Sequence, residues 1–179
     1  MKSYLSGAIR VVNRPSYSLE SFPMKHVIFD CDGTLMDTSS PKYMLFPGIK
    51  ELLLTHSKNC LFYVWTARGR VSTIKFLEEF GVKSLFDSFS TPDDAIPKPH
   101  IDGLIKLVGK TPKQSICVIG DSSNDMIGAK NFGVLAIGAT WNKEAHPQIL
   151  RDSGADFIVS HPSECSKLIE LNLKGDTHV

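Results

Sequence analysis

The stretch Val27-Ile28-Phe29-Asp30-Cys31-Asp32-Gly33-Thr34-Leu35 constrains the fold more than any other part of the chain. It reads as a buried strand that runs straight into two carboxylates and a glycine turn. Gly33 lets the backbone turn sharply beyond the strand end, so Asp30 and Asp32 can approach one point. Two carboxylates about 4 Å apart repel by roughly 4 kcal/mol at an effective dielectric of 20. A shared proton, a Lys or Arg, or a divalent cation must offset that cost. A strand end built from turn-forming Asp and Gly also occurs without any chemistry, so the rest of the chain has to decide.

From His26 onward, short apolar runs alternate with helical patterns. The runs cover residues 27–29, 61–65, 116–119, 134–137 and 157–159, with 85–89 a weaker sixth. Between them, Pro47-Gly48-Ile49-Lys50-Glu51-Leu52 opens a helix with Pro near its first turn. Residues 72–80 place Ile74, Phe76, Leu77 and Phe80 at helical spacing, and Gly81 fits the position after the last turn. Further helices are expected over 101–108, 124–132, 146–153 and 163–171. The serine pair Ser122-Ser123 suits the start of the helix over 124–132, with Asn124 as another capping residue. Strands alternating with helices predict an α/β fold: a mostly parallel sheet with helices on both faces.

In such sheets ligands bind beyond the carboxyl ends of the strands, so the residues just past each run carry the most information. Asp30 and Asp32 come after the first run. Thr66-Ala67-Arg68-Gly69 come after the second. Gly120-Asp121-Ser122-Ser123-Asn124-Asp125 come after the third run of the main set. One rim of the sheet therefore collects Asp30, Asp32, Asp121 and Asp125. The simplest remedy for such a cluster is an oxygen-ligated hard cation, and Mg²⁺ takes a few carboxylates while also holding substrate phosphate. Thr66 and the amides around Ala67 can take phosphate oxygens. Lys98 stands between Pro97 and Pro99, which restrict its backbone, and suits a phosphate clamp. With Asp30 as nucleophile an aspartyl-phosphate becomes possible. Asp32 can then protonate the leaving oxygen and activate water. Cys31 should point away from both carboxylates into the core.

These motifs resemble the haloacid dehalogenase-like (HAD) superfamily. The match is to Asp30-Cys31-Asp32-Gly33-Thr34, Thr66, Lys98 and Gly120-Asp121-Ser122-Ser123-Asn124-Asp125, in that order. The resemblance implies a Rossmann-like three-layer sheet and a Mg²⁺-dependent phosphomonoester hydrolase. It implies Asp30 as nucleophile and metal ligand, and Asp32 as acid/base that binds metal through its backbone carbonyl. Asp121 is then a metal ligand, Asp125 a ligand or a residue just behind, and Thr66 and Lys98 hold the transferring phosphate. An acidic residue at position 32 is similar to the phosphatase branches rather than the dehalogenases. Lys98-Pro99-His100, residues 120–141 and Ala155-Asp156-Phe157-Ile158-Val159-Ser160 are similar to phosphoglycolate phosphatase-like proteins.

Two spacings exclude a large insertion. Twenty-eight residues separate Asp37 from Thr66 and 31 separate Thr66 from Lys98, and helices and strands use most of both. Only a flap over about residues 36–46 fits, so a capless member is expected, open to a phosphorylated small molecule or an exposed phosphate on a larger substrate. Arg68, His100 and Trp141 lie near the rim as further substrate contacts or as structural residues. Gly103 to Gly109-Lys110-Thr111 imitates a phosphate-binding loop, but its gap is one residue too long and it falls in a helix.

The bulk numbers set the remaining limits. A chain of 179 residues, 42% hydrophobic, predicts one catalytic domain over 25–179 behind an N-terminal arm over 1–24. Twenty basic against 19 acidic residues give no bulk-charge case for nucleic acid or a membrane surface. No apolar run approaches the roughly 20 residues of a membrane span. The first ten residues lack the apolar region of a secretory signal, and Cys31, Cys60, Cys117 and Cys165 form no CxxC pair. A reduced, cytoplasmic setting is expected, with a homo-oligomer allowed. Three other functions fit parts of the pattern. A receiver domain shares the acidic rim, but its motif order differs. A phosphotransferase or mutase would use the same residues but needs water excluded. A catalytically silent phospho-ligand or protein-binding module would not require Asp32 and the acidic loop together.

Overall fold

Period-two alternation decides which side of the sheet each residue of the first strand faces. In strand β1 (Lys25–Phe29), Val27 and Phe29 belong to one core cluster and Ile28 to another, as expected for a strand covered on both faces. The computed structural model of the chain describes residues 24–39 and 41–173. All but Met24 of the expected arm over 1–24 lies outside the described residues.

The chain continues through β2 (Met36–Asp37), β3 (Met44–Leu45), α1 (Ile49–His56), β4 (Cys60–Trp65), α2 (Arg70–Glu79) and β5 (Ser88–Ser90). It then forms α3 (Asp102–Val108), β6 (Ile116–Gly120), α4 (Ser123–Phe132), β7 (Leu135–Ala139), α5 (Pro147–Asp152), β8 (Phe157–Val159) and α6 (Pro162–Leu173). Six strands pair in parallel in the order β5-β4-β1-β6-β7-β8. Residues of α1, α2 and α6 fill one core cluster; those of α3, α4 and α5 fill the other. This is the predicted three-layer α/β architecture. Strands β2 and β3 pair antiparallel as a small hairpin over the sheet's rim. That hairpin is the expected flap, and no sizeable cap domain is present among the described residues.

The order of the strands places the site. From β1 the chain winds outward through β4 to β5, then crosses back to β6 and winds the other way. The crevice between β1 and β6 is therefore the topological switch point, where ligands bind in open α/β sheets. Phe29 is in register with Ile119, and the Asp30 amide donates to the Ile119 carbonyl at 2.9 Å. Asp30 thus emerges beside Gly120 and Asp121.

Three local expectations are corrected. Gly48 has a positive φ of 88°, so the first helix begins at Ile49 and Pro47 lies outside it. The expected strand over 85–89 splits into a 3₁₀ turn (Lys83–Leu85) and β5. Phe86 is drawn into the core, and Asp87 ties its backbone and carboxylate to Phe62, so regular pairing with β4 starts only at Ser88. The expected serine pair does supply the cap of α4, Ser122 in a capping box with Asp125, but Asn124 lies inside the helix and does not cap it.

Phe29 is fully buried and meets Phe62 and Phe86 at ring-centroid distances of 6.0 and 6.3 Å. Its position immediately before Asp30 couples the core to the site. Phe29→Ala is expected to lower unfolding free energy by about 3–5 kcal/mol, read as a lower urea midpoint at unchanged slope.

Candidate active site

Asp30 leaves the sheet at the end of β1 and is buried, with its Oδ1 accepting from Lys98 Nζ at 2.6 Å. The same ammonium donates to Asp125 Oδ1 at 2.5 Å. The Lys98 side chain is 5% exposed and that of Asp125 fully buried. Lys98 arrives from the loop after β5, and its ammonium lies 4.8 Å from the Trp65 ring centroid, a further favourable contact for a buried cation. Asp125 has its other oxygen engaged too: Oδ2 accepts from the amide and hydroxyl of Ser122. One carboxylate therefore fastens the start of α4 and anchors the lysine.

Asp121 follows β6 and stands close to Asp30. Its Oδ2 accepts from Asn142 Nδ2 at 2.9 Å and its Oδ1 from the Thr34 hydroxyl at 3.3 Å. One oxygen from each of Asp30, Asp121 and Asp125 lies within 4.8 Å of the others. Gly33, at φ 81°, faces this cluster so closely that a Cβ there would sit 1.9 Å from Asp121 Oδ2. The glycine serves both the turn and the space.

Burial and charge set the electrostatics. Burial pushes the Asp30 carboxyl up to about 8, against the downward pull of Lys98 and with a further push from Asp125. Burial also raises Asp121, while the Asn142 hydrogen bond opposes it. For Lys98, burial disfavours the ammonium, but Asp125 and Asp30 together outweigh it and hold the group above its ordinary value.

Asp32 is not in this cluster. Arg68 donates to it three times, from Nε to both oxygens at 2.9 and 3.0 Å and from Nη2 to Oδ1 at 2.7 Å. The Arg68 guanidinium also lies 5.3 Å from the Tyr43 ring centroid. The Arg68 and Asp32 side chains are 20% and 38% exposed, so this end of the site is wetter than the Lys98 end. Thr66 is buried next to them, its hydroxyl accepting from the Arg68 amide at 3.0 Å. Ala67 is exposed on the same loop. Cys31 is buried in the core, as its place on the strand required.

The structure thus brings Asp30, Asp121, Asp125 and Lys98 into direct proximity, with Asp32 and Thr66 joined through Arg68. Trp141 Nε1 donates to the Thr34 carbonyl at 2.9 Å. His100 is exposed, and its Nδ1 accepts from the Asp102 amide at 3.2 Å. Sequence reasoning missed Asn142, Thr34 and Trp65 as supports of the charged groups, and the Arg68–Asp32 pair. Asn142 stands three residues past β7, on the same rim, so tracing that strand's exit one step further would have found it.

A family model for haloacid dehalogenase-like hydrolases matches residues 40–139. The chain belongs to that family. It is similar to phosphoglycolate phosphatases of Agrobacterium fabrum, at 31% identity over 69% of this chain and 56% of the relative, and of Synechococcus elongatus, at 27% over 69% and 58%. The chain thus spans little more than half the length of these relatives. Among solved structures, a haloacid dehalogenase-like family hydrolase from Streptococcus pneumoniae superposes with a TM-score of 0.70 at 19% identity, over 81% of this chain and 98% of that one. That likeness concerns the fold.

The raised Asp30 carboxyl gives a pH dependence. Folded Asp30 binds its proton more tightly than unfolded Asp30, so its contribution favours the fold at low pH and is lost as pH rises from about 4 toward about 8. In chelator, the melting temperature of the wild type should fall relative to Asp30→Asn between pH 5 and pH 8. The expected change is several degrees, at about 2–4 °C per kcal/mol for a chain of this size. A pH-independent difference would show that Asp30 is ionised throughout.

Proposed function

We propose that the chain is a Mg²⁺-dependent phosphomonoester hydrolase that works through an aspartyl-phosphate on Asp30. The observation that carries this reading is the meeting of Asp30, Asp121, Asp125 and Lys98 at the carboxyl ends of β1 and β6. The donors are all carboxylate oxygens, the set that hard cations prefer. If all are ionised, three carboxylates against one ammonium leave two negative charges, which a divalent cation neutralises. Asp30 and Asp121 would hold the ion together with the Asp32 backbone carbonyl. Asp125 stands behind them, because its oxygens already serve Lys98 and Ser122. When bound, Mg²⁺ neutralises charge on the phosphoryl oxygens and orients them.

The chain's own groups do the rest. An Asp30 carboxylate oxygen attacks phosphorus as the bond to the leaving alcohol breaks, and Asp32 delivers a proton to the leaving oxygen. Asp32 then takes a proton from water as that water attacks phosphorus, which releases phosphate and restores Asp30. Lys98 neutralises charge beside the nucleophile, and the Thr66 hydroxyl, which accepts from Arg68 but still has a proton to give, donates to a phosphoryl oxygen. Substrates of this class are phosphorylated small molecules or exposed phosphates on larger molecules. Four thiols buried in the described core suit a reducing, cytoplasmic setting.

Hydrolysis of 4-nitrophenyl phosphate with Mg²⁺ and with chelator, for wild type and Asp30→Asn, tests the reading. Metal-dependent turnover should appear in the wild type and fall at least about 10³-fold in the variant. A folded wild type that binds no Mg²⁺ and turns over no ester would replace this reading with that of a silent binding module.

A further inference from the structure

A groove of about 340 Å³ lies between the flap and α2, directly beside the Asp32 end of the site. Arg68 joins the two, since it lines the groove and donates to Asp32. The volume is at the small end for small-molecule pockets, enough for a ring-sized group. Half-exposed Tyr43 gives it an aromatic face, and Phe76, nearly buried, adds an apolar edge.

The charges in this groove are unequal. Lys42 and Lys75 line it and are exposed, and neither forms an ion pair among the described residues. The one acid in its lining is Glu79. Exposed lysines alone would mean little, but Arg68 adds a second observation. It already grips a carboxylate through Nε and Nη2 where the groove meets the site, the fork geometry by which arginine recognises planar anions. Tyr43 engages the same guanidinium through a side-chain hydrogen bond.

We propose that this groove is the leaving-group subsite, and that it selects phosphomonoesters whose leaving alcohol combines a ring-sized apolar body with an anionic group of its own. The inference rests on the hydrolase reading above and specifies its substrate class. The phosphoryl group lies at Asp30. The body of the leaving group lies against Tyr43 and the edge of Phe76, and its anion meets Lys42 and Lys75. The flap does here what an inserted domain would do in a longer chain: it supplies one wall of the specificity site.

The test compares phenyl phosphate with 4-carboxyphenyl phosphate on the full chain with Mg²⁺. The carboxylated ester is expected to have a kcat/KM about tenfold higher, equivalent to about 1.4 kcal/mol. That preference should shrink as salt is raised and disappear in the double variant Lys42→Glu with Lys75→Glu. Both positions are exposed, so the fold tolerates the change. Equal kcat/KM for the two esters, or a preference that survives the double variant, would overturn the subsite. Calorimetric titration with benzylphosphonate and 4-carboxybenzylphosphonate separates this from the hydrolase reading. If neither ester is turned over but the carboxylated phosphonate binds about tenfold tighter, the subsite stands and hydrolysis does not. Equal affinity, or no binding of either phosphonate, overturns the subsite.

Discussion

The ammonium of Lys98, held between Asp30 and Asp125, is the interaction on which the rest of the site depends. Both contacts are short and the three groups are almost wholly removed from solvent. Two buried carboxylates so close would be very costly alone, and removing one partner of a buried pair leaves the other uncompensated. The lysine therefore makes it possible for the carboxylate at the end of β1 and the one in the first turn of α4 to lie side by side. It also ties three distant segments together: the end of β1, the loop after β5 and the first turn of α4. Asp125 adds a second constraint by capping α4 with its other oxygen. The helix start, the lysine and the candidate nucleophile are thus positioned by one carboxylate.

This arrangement exists because the sheet changes winding direction between β1 and β6. Side-by-side strands whose connections leave in opposite senses open a crevice at their carboxyl ends. The charged groups of the site enter that crevice from the loops beyond the strands and, for Asp125, from the first turn of α4, while the cores on both faces are apolar. The division is physical. Backbone pairing and alternation consume the strand residues, and the first residues beyond them are free to carry chemistry.

That division also explains what could be read from the sequence. Apolar runs and the residues just after them identify the sheet, its rim, and Asp30, Asp121 and Asp125, because these positions follow from periodicity and chain order, while Lys98 stands out through its two flanking prolines. Supports contributed by side-chain reach were harder to see. Arg68 finds Asp32 across 36 residues, and Asn142 finds Asp121 across 21. Both contacts depend on loop paths that no periodic pattern encodes. The expected strand over 85–89 is shifted to Ser88–Ser90 for a related reason. Phe86 was drawn into the core, so burial of one ring took precedence over a regular β pattern.

The site is graded from dry to wet along a very short stretch of chain. The Asp30 and Lys98 side chains are 9% and 5% exposed, whereas that of Asp32, two residues on from Asp30, is 38% exposed. A buried carboxylate beside a fixed ammonium suits attack on phosphorus, since preorganised charge acts most strongly where water is excluded. An acid/base group that must exchange protons with a leaving oxygen and then with water is better placed where water reaches it. Arg68 fits this gradient, because it holds Asp32 in position without burying it. Among the described residues the Asp32 end is the more exposed of the two. Under the proposed hydrolase reading that exposure suits water as the phosphoryl acceptor, because transfer to another acceptor requires water to be kept out at the moment the intermediate is formed.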